Sequence, residues 1–567
     1  MKPRNSSGQC SAVRFLLACA RAIVAPALII ACTSEPPASI PIGNGGERRI
    51  VVEPSVLEIQ VGNTGSFVAR AYDTSGAIIQ NAVMTWTSSN TAVATISSAG
   101  LVTGVGVGNS TLTASSNGTS ATAEVRVSPA PVIPGPSAGL MVYPNLQYQT
   151  MIGWQGTVFI GQTECNRTAF QNYHAQVIQR LVNELGINSV RMEVRSGHEN
   201  PVDHFSRFVT SNVTSDWFPY RYESINDNSD PRVANPAGFQ FAELSYDADS
   251  VVQPLRAALQ QRGERLYVTL TYVDFKAYPW EQSSNPEEYA ELILAAFKHL
   301  QARNGWVPDA VEVILEPDNT TNWTPEVIAR ALVAAGDRLK AAGFRPAFIA
   351  PGTTSMSAAP EFFDRMMSVP RVLEYLTDIS YHRYRGVSAS ALAAIAARAK
   401  QYGIRTAMLE HIGADYHTLH EDIRDGQNST WQQYVLAGCF PGDNGGKYYV
   451  IDTSNPQAPV VTMGQRARFF RQYFLYVREG AVRIGATSTD ARFDPLAFRN
   501  ANGKLVVVSK VSSTASILVG GLAPGTYGIT YAAGTESVVP LPDAVVSQSG
   551  TLQLQMPTAG VITVFQR

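Results

Sequence analysis

The chain has almost no excess charge of either sign, and this limits the partners that it can bind. Lysine and arginine together number 44 among 567 residues, against 46 aspartate and glutamate residues, for a formal net charge of -2. Proteins that bind nucleic acid through its phosphates carry a basic surface, so this composition argues against a nucleic-acid partner. Hydrophobic residues make up 45% of the chain, as expected of globular domains with a real core. The length predicts several domains.

The first 31 residues have the pattern of an export signal. Three basic residues precede an apolar stretch from Phe15 to Ile30, which Arg21 interrupts. The run Leu28-Ile29-Ile30-Ala31-Cys32 resembles the lipobox of a bacterial lipoprotein signal peptide, which is cut before its cysteine. The resemblance implies a lipid anchor on Cys32 and a flexible tether over residues 32–49. An ordinary secretory signal and a single membrane anchor are the alternatives.

Cysteine is scarce, with five residues in the whole chain. Cys10 and Cys19 lie in the predicted signal peptide, and Cys32 is the predicted lipid site. Cys165 and Cys439 remain, and an exported compartment would permit a disulfide between them. The sequence does not fix their separation, so two separate buried thiols agree with it equally well.

Residues 50–128 alternate apolar and polar side chains in short strands broken by glycine, asparagine and serine, which is typical of a β-sandwich. The stretches Val83–Asn90, Ala92–Ile96 and Gly100–Gly104 resemble the group 2 bacterial immunoglobulin-like domain. The resemblance implies a spacer or adhesion module in which Trp86 is a core residue. Residues 129–140 are rich in proline and predict a stiff linker between separately folded parts.

Between residues 141 and 486, short apolar runs alternate with amphipathic stretches, which predicts repeated β/α units. Eight units favour a (β/α)8 TIM barrel with long loops, while a doubly wound sheet would need fewer strands. Residues 487–567 return to strand-and-turn sequence and predict a C-terminal β-sandwich packed on the barrel. The eight predicted strands are Tyr148–Gly153, Asn188–Val194, Leu266–Tyr272, Ala310–Leu315, Pro346–Ala350, Asp378–Tyr381, Thr406–Leu409 and Lys447–Asp452.

Two of these predicted strands run directly into a glutamate. Glu316 follows the fourth strand, and Glu410 follows the seventh. In a β/α barrel the residue just past the C-terminal end of a strand faces the active-site mouth. Two carboxylates at one mouth supply the acid and the nucleophile that acetal cleavage needs. Taken singly, each glutamate is equally well explained as a strand-end cap or an ion-pair partner.

The layout resembles clan A of the glycoside hydrolases, and within it family 30, in which a barrel carries an attached β-domain. Residues Gln149–Gly156 look like the opening barrel strand, Ile379–Tyr384 look like the sixth strand, and Phe469–Thr487 resemble the helix that leads into the β-domain. The resemblance implies a retaining mechanism with Glu316 as acid/base and Glu410 as nucleophile. We then expect the pKa of Glu316 to be held above that of Glu410, by burial or by the negative charge nearby.

One position departs from this family. Clan A enzymes usually place asparagine directly before the acid/base, where its amide contacts the 2-hydroxyl of the sugar, but here the residue is Leu315. Three interpretations stay open. Asn319 or Asn322 replaces the amide from the loop, the 2-position is recognised differently, or the site is degenerate.

Further polar and aromatic residues are candidates for substrate contact. Arg191 on the second strand is placed to orient the nucleophile or to bind a hydroxyl, unless it is a core arginine. His382 and Tyr384 end the sixth strand and can hydrogen-bond Glu410 or the sugar. Four aromatic residues could stack on sugar rings, although each alone is more often a core residue: Trp154, Tyr272, Trp280 and Trp431.

The only cluster with metal-like spacing is His411, His417, His420 and Glu421, which falls short of a zinc motif. No glycine-rich phosphate loop precedes a helix, and no serine nucleophile elbow is present. The sequence therefore predicts a catalytic site of two carboxylates, without a metal or another cofactor.

Together these features predict an exported, lipid-anchored bacterial glycoside hydrolase in the periplasm or at the cell surface, acting on a β-linked polysaccharide or oligosaccharide. Endo or exo action depends on whether the segments near Asn200–Asn235 and Thr418–Thr430 block one end of the cleft. A catalytically silent carbohydrate-binding or adhesion protein is one alternative. A metal-dependent barrel hydrolase that uses the histidine cluster is the other.

Overall fold

The computed structural model describes residues 49–79, 82–129, 139–276, 278–440, 442–548 and 550–567. The predicted signal peptide (1–31), Cys32, nearly all of the tether (32–49) and most of the linker (129–140) lie outside the described residues. Within these ranges no helix combines the length and the apolarity needed to cross a membrane. The described chain forms a small β-sandwich, a barrel and a second β-domain, which confirms the predicted fold class.

The first β-sandwich is built from strands in which every second residue points inward. In the longest pair the buried residues include Leu112 and Val125, which share a core with Phe67 and Val102. Trp86 is half-buried against Phe67, with ring centroids 6.3 Å apart, so it is part of this core. The strands are β1 (Arg49–Glu53), β2 (Val56–Gln60), β3 (Thr64–Ser66), β4 (Val68–Tyr72), β5 (Thr85–Ser88), β6 (Ala94–Ile96), β7 (Leu101–Gly104), β8 (Gly108–Ser116) and β9 (Thr119–Ser128).

The strand after the linker, β10 (Leu140–Thr150), joins the second β-domain and not the barrel. The prediction that Tyr148–Gly153 opens the barrel is therefore wrong. Its alternation of exposed and buried residues belongs to a sheet with one solvated face, whereas a barrel strand is buried on both faces.

Eight parallel strands form the barrel, which closes because the first strand pairs with both the second and the eighth. Their side chains are buried almost throughout. The strands are β11 (Gly153–Thr157), β12 (Ser189–Arg195), β13 (Tyr267–Val273), β14 (Ala310–Glu312), β15 (Ala347–Ser355), β16 (Leu376–Arg385), β17 (Arg405–Glu410) and β18 (Asn428–Gly438).

The predicted eighth strand is also wrong. The segment Lys447–Asp452 is β19, which pairs with the outer end of β18 and forms a hairpin with β20 (Val460–Met463). The true eighth strand begins with five polar residues among its first six, and all six are buried. Because an apolar run is the sequence signal of a buried strand, this polar segment did not predict one. Because one strand replaces another at each end, Glu316 and Glu410 keep their places after the fourth and on the seventh strand.

Helices surround the barrel and begin where the sequence offers caps. The side chains of Asn285 and Thr324 each accept a hydrogen bond from a backbone amide in the first turn of a helix that starts with proline. The helices are α1 (Arg167–Arg180), α2 (His204–Ser211), α3 (Ala242–Asp247), α4 (Gln253–Gln260), α5 (Pro286–Asn304), α6 (Pro325–Ala341), α7 (Ala359–Met366), α8 (Ala389–Tyr402), α9 (Tyr416–Arg424) and α10 (Ala467–Phe474).

The second β-domain is a nine-stranded sheet that folds back on itself. Side chains from both of its ends, such as Ile517 and Leu554 on one and Tyr527 and Ile529 on the other, share one core. The remaining strands are β21 (Val482–Ser488), β22 (Phe493–Arg499), β23 (Leu505–Val511), β24 (Ala515–Gly520), β25 (Gly525–Ala533), β26 (Glu536–Val546), β27 (Leu552–Met556) and β28 (Gly560–Gln566), in the order β26-β25-β28-β23-β22-β21-β10-β24-β27.

The second β-domain packs on the barrel through the segment that contains α10. The Tyr476 ring stacks on Phe565 with centroids 4.5 Å apart, and the Thr563 hydroxyl donates a 2.8 Å hydrogen bond to the carbonyl of Gln472. A charged contact adds to this interface, because Arg424 lies 2.7 Å from Asp494. The two parts thus share apolar and ionic contacts.

Candidate active site

Strands β14 and β17 end at the same rim of the barrel, and each presents a glutamate to one cleft. Glu316 lies four residues after the end of β14, and Glu410 is the last residue of β17. Both line a cleft of about 380 Å³. A carboxylate oxygen of Glu316 lies within 4.8 Å of one of Glu410. This separation allows the two groups to act on the same bound molecule from either side of one bond.

The backbone of Glu316 is in the left-handed region, with φ 51° and ψ 53°. This conformation costs a residue other than glycine about 1 kcal/mol, and it occurs more often at functional sites than elsewhere. The amide of Glu316 donates a 3.0 Å hydrogen bond to the carbonyl of Gly352. Gly352 also has positive φ, and a Cβ there would lie 2.8 Å from the carbonyl oxygen of Ile314, so the close approach of the two segments requires glycine.

Two side chains hold Glu410. Arg191 is fully buried on β12 and forms a salt bridge with one carboxylate oxygen. The Tyr384 hydroxyl donates a 2.9 Å hydrogen bond to the other oxygen. Burial acts to lower the pKa of Arg191, but the charges of Glu410 and Glu312 outweigh it and raise that pKa, so Arg191 stays charged. These contacts fix the orientation of the Glu410 carboxylate.

Glu316 has different partners. Nδ1 of His382 lies 2.9 Å from one carboxylate oxygen, and the Asn319 amide donates a 2.9 Å hydrogen bond to the other. Of the two partners that the sequence offers, Glu410 or the sugar, neither receives this hydrogen bond, which joins Nδ1 of His382 to Glu316. Burial raises the pKa of Glu316, but the hydrogen bond and charge of His382 outweigh burial and leave that pKa lowered. The sequence did not show that His382 faces Glu316, and the relative acidity expected of the two glutamates stays a prediction.

Leu315 occupies an apolar wall of the cleft. It packs with Tyr222 and Val273 and is 6% exposed. Asn319 does not replace the missing amide, because its Nδ2 donates to both Glu316 and Thr354. The amide of Asn322 donates to Glu281 and Ser283. Both loop asparagines are thus held by other side chains, and the three interpretations of Leu315 stay predictions.

Three of the four aromatic candidates for sugar stacking are core residues. Trp154 is fully buried and stacks on Phe474, with centroids 4.5 Å apart. Tyr272 and Trp431 are also fully buried, and each donates a hydrogen bond to a buried side chain. Trp280 is half-buried, and it does not belong to the described lining of the cleft. The stacking prediction is wrong for the three buried rings because no sugar can reach them.

Three exposed aromatic residues line the cleft from loops, and none of them was among the predicted stacking residues. Phe218, Phe275 and Phe440 are each between 43% and 52% exposed. Phe218 belongs to the long segment after β12, within the run Trp217-Phe218-Pro219-Tyr220-Arg221-Tyr222. The high density of aromatic residues in this run is the sequence signal that could have identified it as part of the cleft. The other expected loop, Thr418–Thr430, is mostly α9 and the start of β18, so it does not wall the cleft.

The histidine cluster does not converge. His420 contacts Tyr473 and Asp494, while Glu421 pairs with Arg383 at 2.8 Å. His417 is exposed on α9. In contrast, donor atoms of Glu316, His382 and Glu410 all lie within 4.8 Å of one another. Any metal in the cleft would therefore use these three residues and not the predicted cluster.

A disulfide joins two of the loops beside the cleft. Cys165 and Cys439 are bonded, with Cα atoms 5.8 Å apart, and connect the loop after β11 to the loop after β18. Glu164 and Phe440, their neighbours in sequence, line the cleft. The bond thus braces one part of the rim.

Fold and site together define a class: a β/α barrel with an attached β-sandwich and a cleft that contains two facing carboxylates. Residues 48–127 match the family model of the bacterial Ig-like domain (group 2), as the sequence predicts. A search of curated protein sequences finds no significant match to the chain.

Solved structures with a similar fold include glycoside hydrolases. A GH30 endoxylanase from Clostridium papyrosolvens has a TM-score of 0.55 and 15% sequence identity, over 76% of this chain and 99% of that one. The catalytic domain of GH30 xylanase C from Talaromyces cellulolyticus has a TM-score of 0.55 and 15% identity, over 76% and 99% of the two chains. The endo-beta1,6-glucanase BT3312 has a TM-score of 0.54 and 14% identity, over 76% and 94%. At this identity the likeness establishes the fold.

Proposed function

We propose that the protein is an exported, retaining glycoside hydrolase that cleaves β-linked glycans or glycosides. The observation that carries the proposal is the separation of less than 4.8 Å between carboxylate oxygens of Glu316 and Glu410 at the barrel mouth. Retaining enzymes hold their carboxyl groups about 5–5.5 Å apart, whereas inverting enzymes leave room for a water between them. The strained backbone of Glu316 and the similarity of the fold to GH30 enzymes support the same conclusion.

In the proposed first step, a Glu410 oxygen bonds to the anomeric carbon while the bond to the leaving oxygen breaks. Glu316 donates its proton to that oxygen, so the leaving group departs as an alcohol. In the second step Glu316 takes a proton from water, whose oxygen bonds to the anomeric carbon and releases Glu410. Arg191 and Tyr384 hold Glu410 in position for both steps.

His382 has a defined part in this proposal. Its Nδ1 atom lies 2.9 Å from a carboxylate oxygen of Glu316. This contact orients the Glu316 carboxyl group, which gives its proton to the leaving oxygen in the first step and takes a proton from water in the second.

The test is a panel of β-linked glycans and aryl glycosides assayed with the wild type, Glu410→Ala and Glu316→Ala, with and without azide. We expect Glu410→Ala to be inactive without azide, and with azide to give a glycosyl azide of inverted anomeric configuration. We expect Glu316→Ala to lose about 10²–10⁴-fold in rate, least for substrates with good leaving groups, and to give an azide product of retained configuration. Glu361→Ala on the exposed face of α7 is the control for folding. Full activity in Glu410→Ala would sink the proposal.

A protein that binds glycan without cleaving it is the second candidate, because an apolar Leu315 wall stands where clan A enzymes usually place an amide. That function predicts saturable glycan binding by the wild type with no reducing-end product after prolonged incubation. The assay with azide distinguishes the proposal from a metal-dependent hydrolase that uses Glu316, His382 and Glu410. Only a carboxylate nucleophile gives azide products of opposite configuration in Glu410→Ala and Glu316→Ala.

Export and lipid attachment are also part of the proposal. The Ig-like domain and the Cys165–Cys439 disulfide support an oxidising, extracytoplasmic location. Lipidation at Cys32 predicts that the mature protein partitions into detergent and that Cys32→Ala moves it to the aqueous phase. An aqueous wild type would favour the ordinary secretory signal.

A further inference from the structure

A second acidic group, separate from the catalytic cleft, lies beneath the long segment that follows β12. Carboxylate oxygens of Glu199, Asp227 and Glu288 all lie within 4.8 Å of one another. Glu199 comes just after β12, Asp227 lies in the long segment, and Glu288 is in the first turn of α5. Glu291 follows Glu288 on the same helix, three residues further on. Three separate parts of the chain therefore converge on one point.

These carboxylates are buried without enough hydrogen-bond partners. Glu199, Glu288 and Glu291 are 0%, 4% and 2% exposed. Among the described residues, Oε2 of Glu288, Oδ1 of Asp227 and both carboxylate oxygens of Glu291 accept no hydrogen bond. Buried polar atoms are nearly always paired with protein, water or an ion, so the unpaired oxygens of Glu288 and Asp227 at the point where the three carboxylates meet indicate a missing positive partner.

The protein itself does not neutralise the group. In the part of the chain that the structure describes, none of the four carboxylates forms a salt bridge with lysine, arginine or histidine. The charge of Arg338 acts to lower the pKa of Glu288 and of Glu291, but its guanidinium pairs with Glu287 at 3.0 Å. Burial raises the pKa of Glu199 to about 8, and burial with the charges of Asp227 and Glu288 raises the pKa of Glu291 to about 7. The carboxylates repel one another unless a cation or protons intervene.

The donor atoms point to one kind of cation. All of them are carboxylate oxygens, and neither histidine nor cysteine belongs to the group. Oxygen donors from a helix and an irregular segment suit Ca²⁺, which accepts six to eight oxygens in flexible geometry, better than Mg²⁺, which demands a near-ideal octahedron. We propose that Glu199, Asp227 and Glu288 bind a calcium ion, and that Glu291 on the same helix adds negative charge beside it.

The ion would fix one wall of the cleft. The segment that carries Asp227 also carries Phe218 and Tyr222, which line the cleft. A 2.8 Å hydrogen bond from the amide of Ile225 to the carbonyl of Glu199 holds this segment next to the proposed calcium site. Calcium would tie this segment to α5 and so hold the aromatic residues in place. The role is structural and separate from the two-glutamate chemistry.

The test uses the full-length protein after removal of metals with EDTA and dialysis. We expect calorimetric titration with CaCl₂ to show one site with a Kd below about 1 mM, weaker at pH 5 than at pH 8 because protons compete for the carboxylates. Calcium at about 100 times Kd should raise Tm by roughly 5 °C, and the same concentration of MgCl₂ should raise it by less.

The matched variants are Glu288→Gln with Glu291→Gln, and Glu287→Gln as the control on the exposed side of the same helix turn. Glutamine keeps the shape and removes repulsion, so without metal the double variant should melt at or above the wild-type Tm. It should lose the calcium-induced shift, while Glu287→Gln keeps it. The proposal is overturned by absence of saturable calcium binding to the wild type, by an equal shift in the double variant, or by stabilisation with Mg²⁺ alone.

Discussion

Nδ1 of His382 lies 2.9 Å from Oε1 of Glu316, and this contact reverses the effect that burial alone would have on the carboxyl group. Tyr384 lies two residues further along the same strand and contacts Glu410. Because alternate residues of a strand share a face, one strand supplies a partner to each carboxylate. The arrangement separates the environments of the two glutamates and gives each a different role in the proposed reaction.

Replacing His382 should shift the pH dependence of the proposed reaction. Burial raises the pKa of Glu316, and His382 makes the largest contribution that lowers it, so His382→Asn should raise this pKa. The acid must carry a proton, and activity falls as pH rises through its pKa. We expect the alkaline limb of kcat/KM to move to higher pH, because the lost contact favours the ionised form of Glu316. His417→Asn on the exposed surface of α9 should leave the limb in place. A limb at unchanged or lower pH in His382→Asn would contradict the assignment.

Removing the Tyr384 hydroxyl should slow the proposed chemical step. The hydroxyl donates to Oε1 of Glu410, and hydrogen bonds to ionised groups are worth about 1.5–3 kcal/mol. Tyr384→Phe should therefore lower kcat roughly 10- to 100-fold with little change in KM. Steady-state kinetics on an aryl β-glycoside would measure it, with Tyr402→Phe as a control that keeps its ring contact with Phe363. A loss confined to KM would instead assign Tyr384 to substrate binding.

Breaking the Cys165–Cys439 disulfide should destabilise the rim of the barrel. The bond links positions 274 residues apart, and removal of a long-range disulfide costs about 2–5 kcal/mol. The double variant Cys165→Ser, Cys439→Ser should melt at lower temperature than the oxidised wild type. Dithiothreitol should lower the Tm of the wild type and leave that of the double variant unchanged. Equal melting of all samples would show that the bond contributes nothing.

The contact between Asp494 and the barrel should make stability depend on pH. Burial raises the pKa of Asp494, but the hydrogen bonds and charges of His420 and Lys510 outweigh it, so that pKa is lowered. A lowered carboxyl pKa stabilises the folded state above the unfolded pKa of about 3.9, and this stabilisation is lost as pH falls further. Asp494 is about one third exposed, so solvent screening reduces the effect.

Asp494→Asn should therefore lower the free energy of unfolding by about 1–2 kcal/mol at pH 7, with the difference from the wild type shrinking below about pH 4. Urea titrations at both pH values would measure it. Asp543→Asn removes an exposed pair with Arg567 and should have little effect at either pH. A deficit in Asp494→Asn that stays constant with pH would refute the charge-based explanation.

The fold could be predicted because its patterns are local. Buried strands and capped helices each show within a few residues, as at Thr324-Pro325, where cap and proline start α6. The prediction of strands failed at the two ends of the barrel. The strand β18 is buried but begins with polar side chains, and the strand β10 belongs to a sheet completed by residues more than 300 positions away. Neither fact is visible in a short window of sequence.

The sequence by itself determined the order of domains and the places of Glu316 and Glu410, because a residue at the end of a parallel barrel strand faces the mouth whatever the rest of the chain does. Only the tertiary structure decided which side chains meet there. In it, His382 faces Glu316, and the amide of Asn319 donates hydrogen bonds to Glu316 and Thr354. Trp154 and Trp431 are buried in the core. The carboxylates of Glu199, Asp227 and Glu288 come together from three segments. Such contacts depend on side-chain direction and on packing between distant segments, and these are set by the closed barrel as a whole.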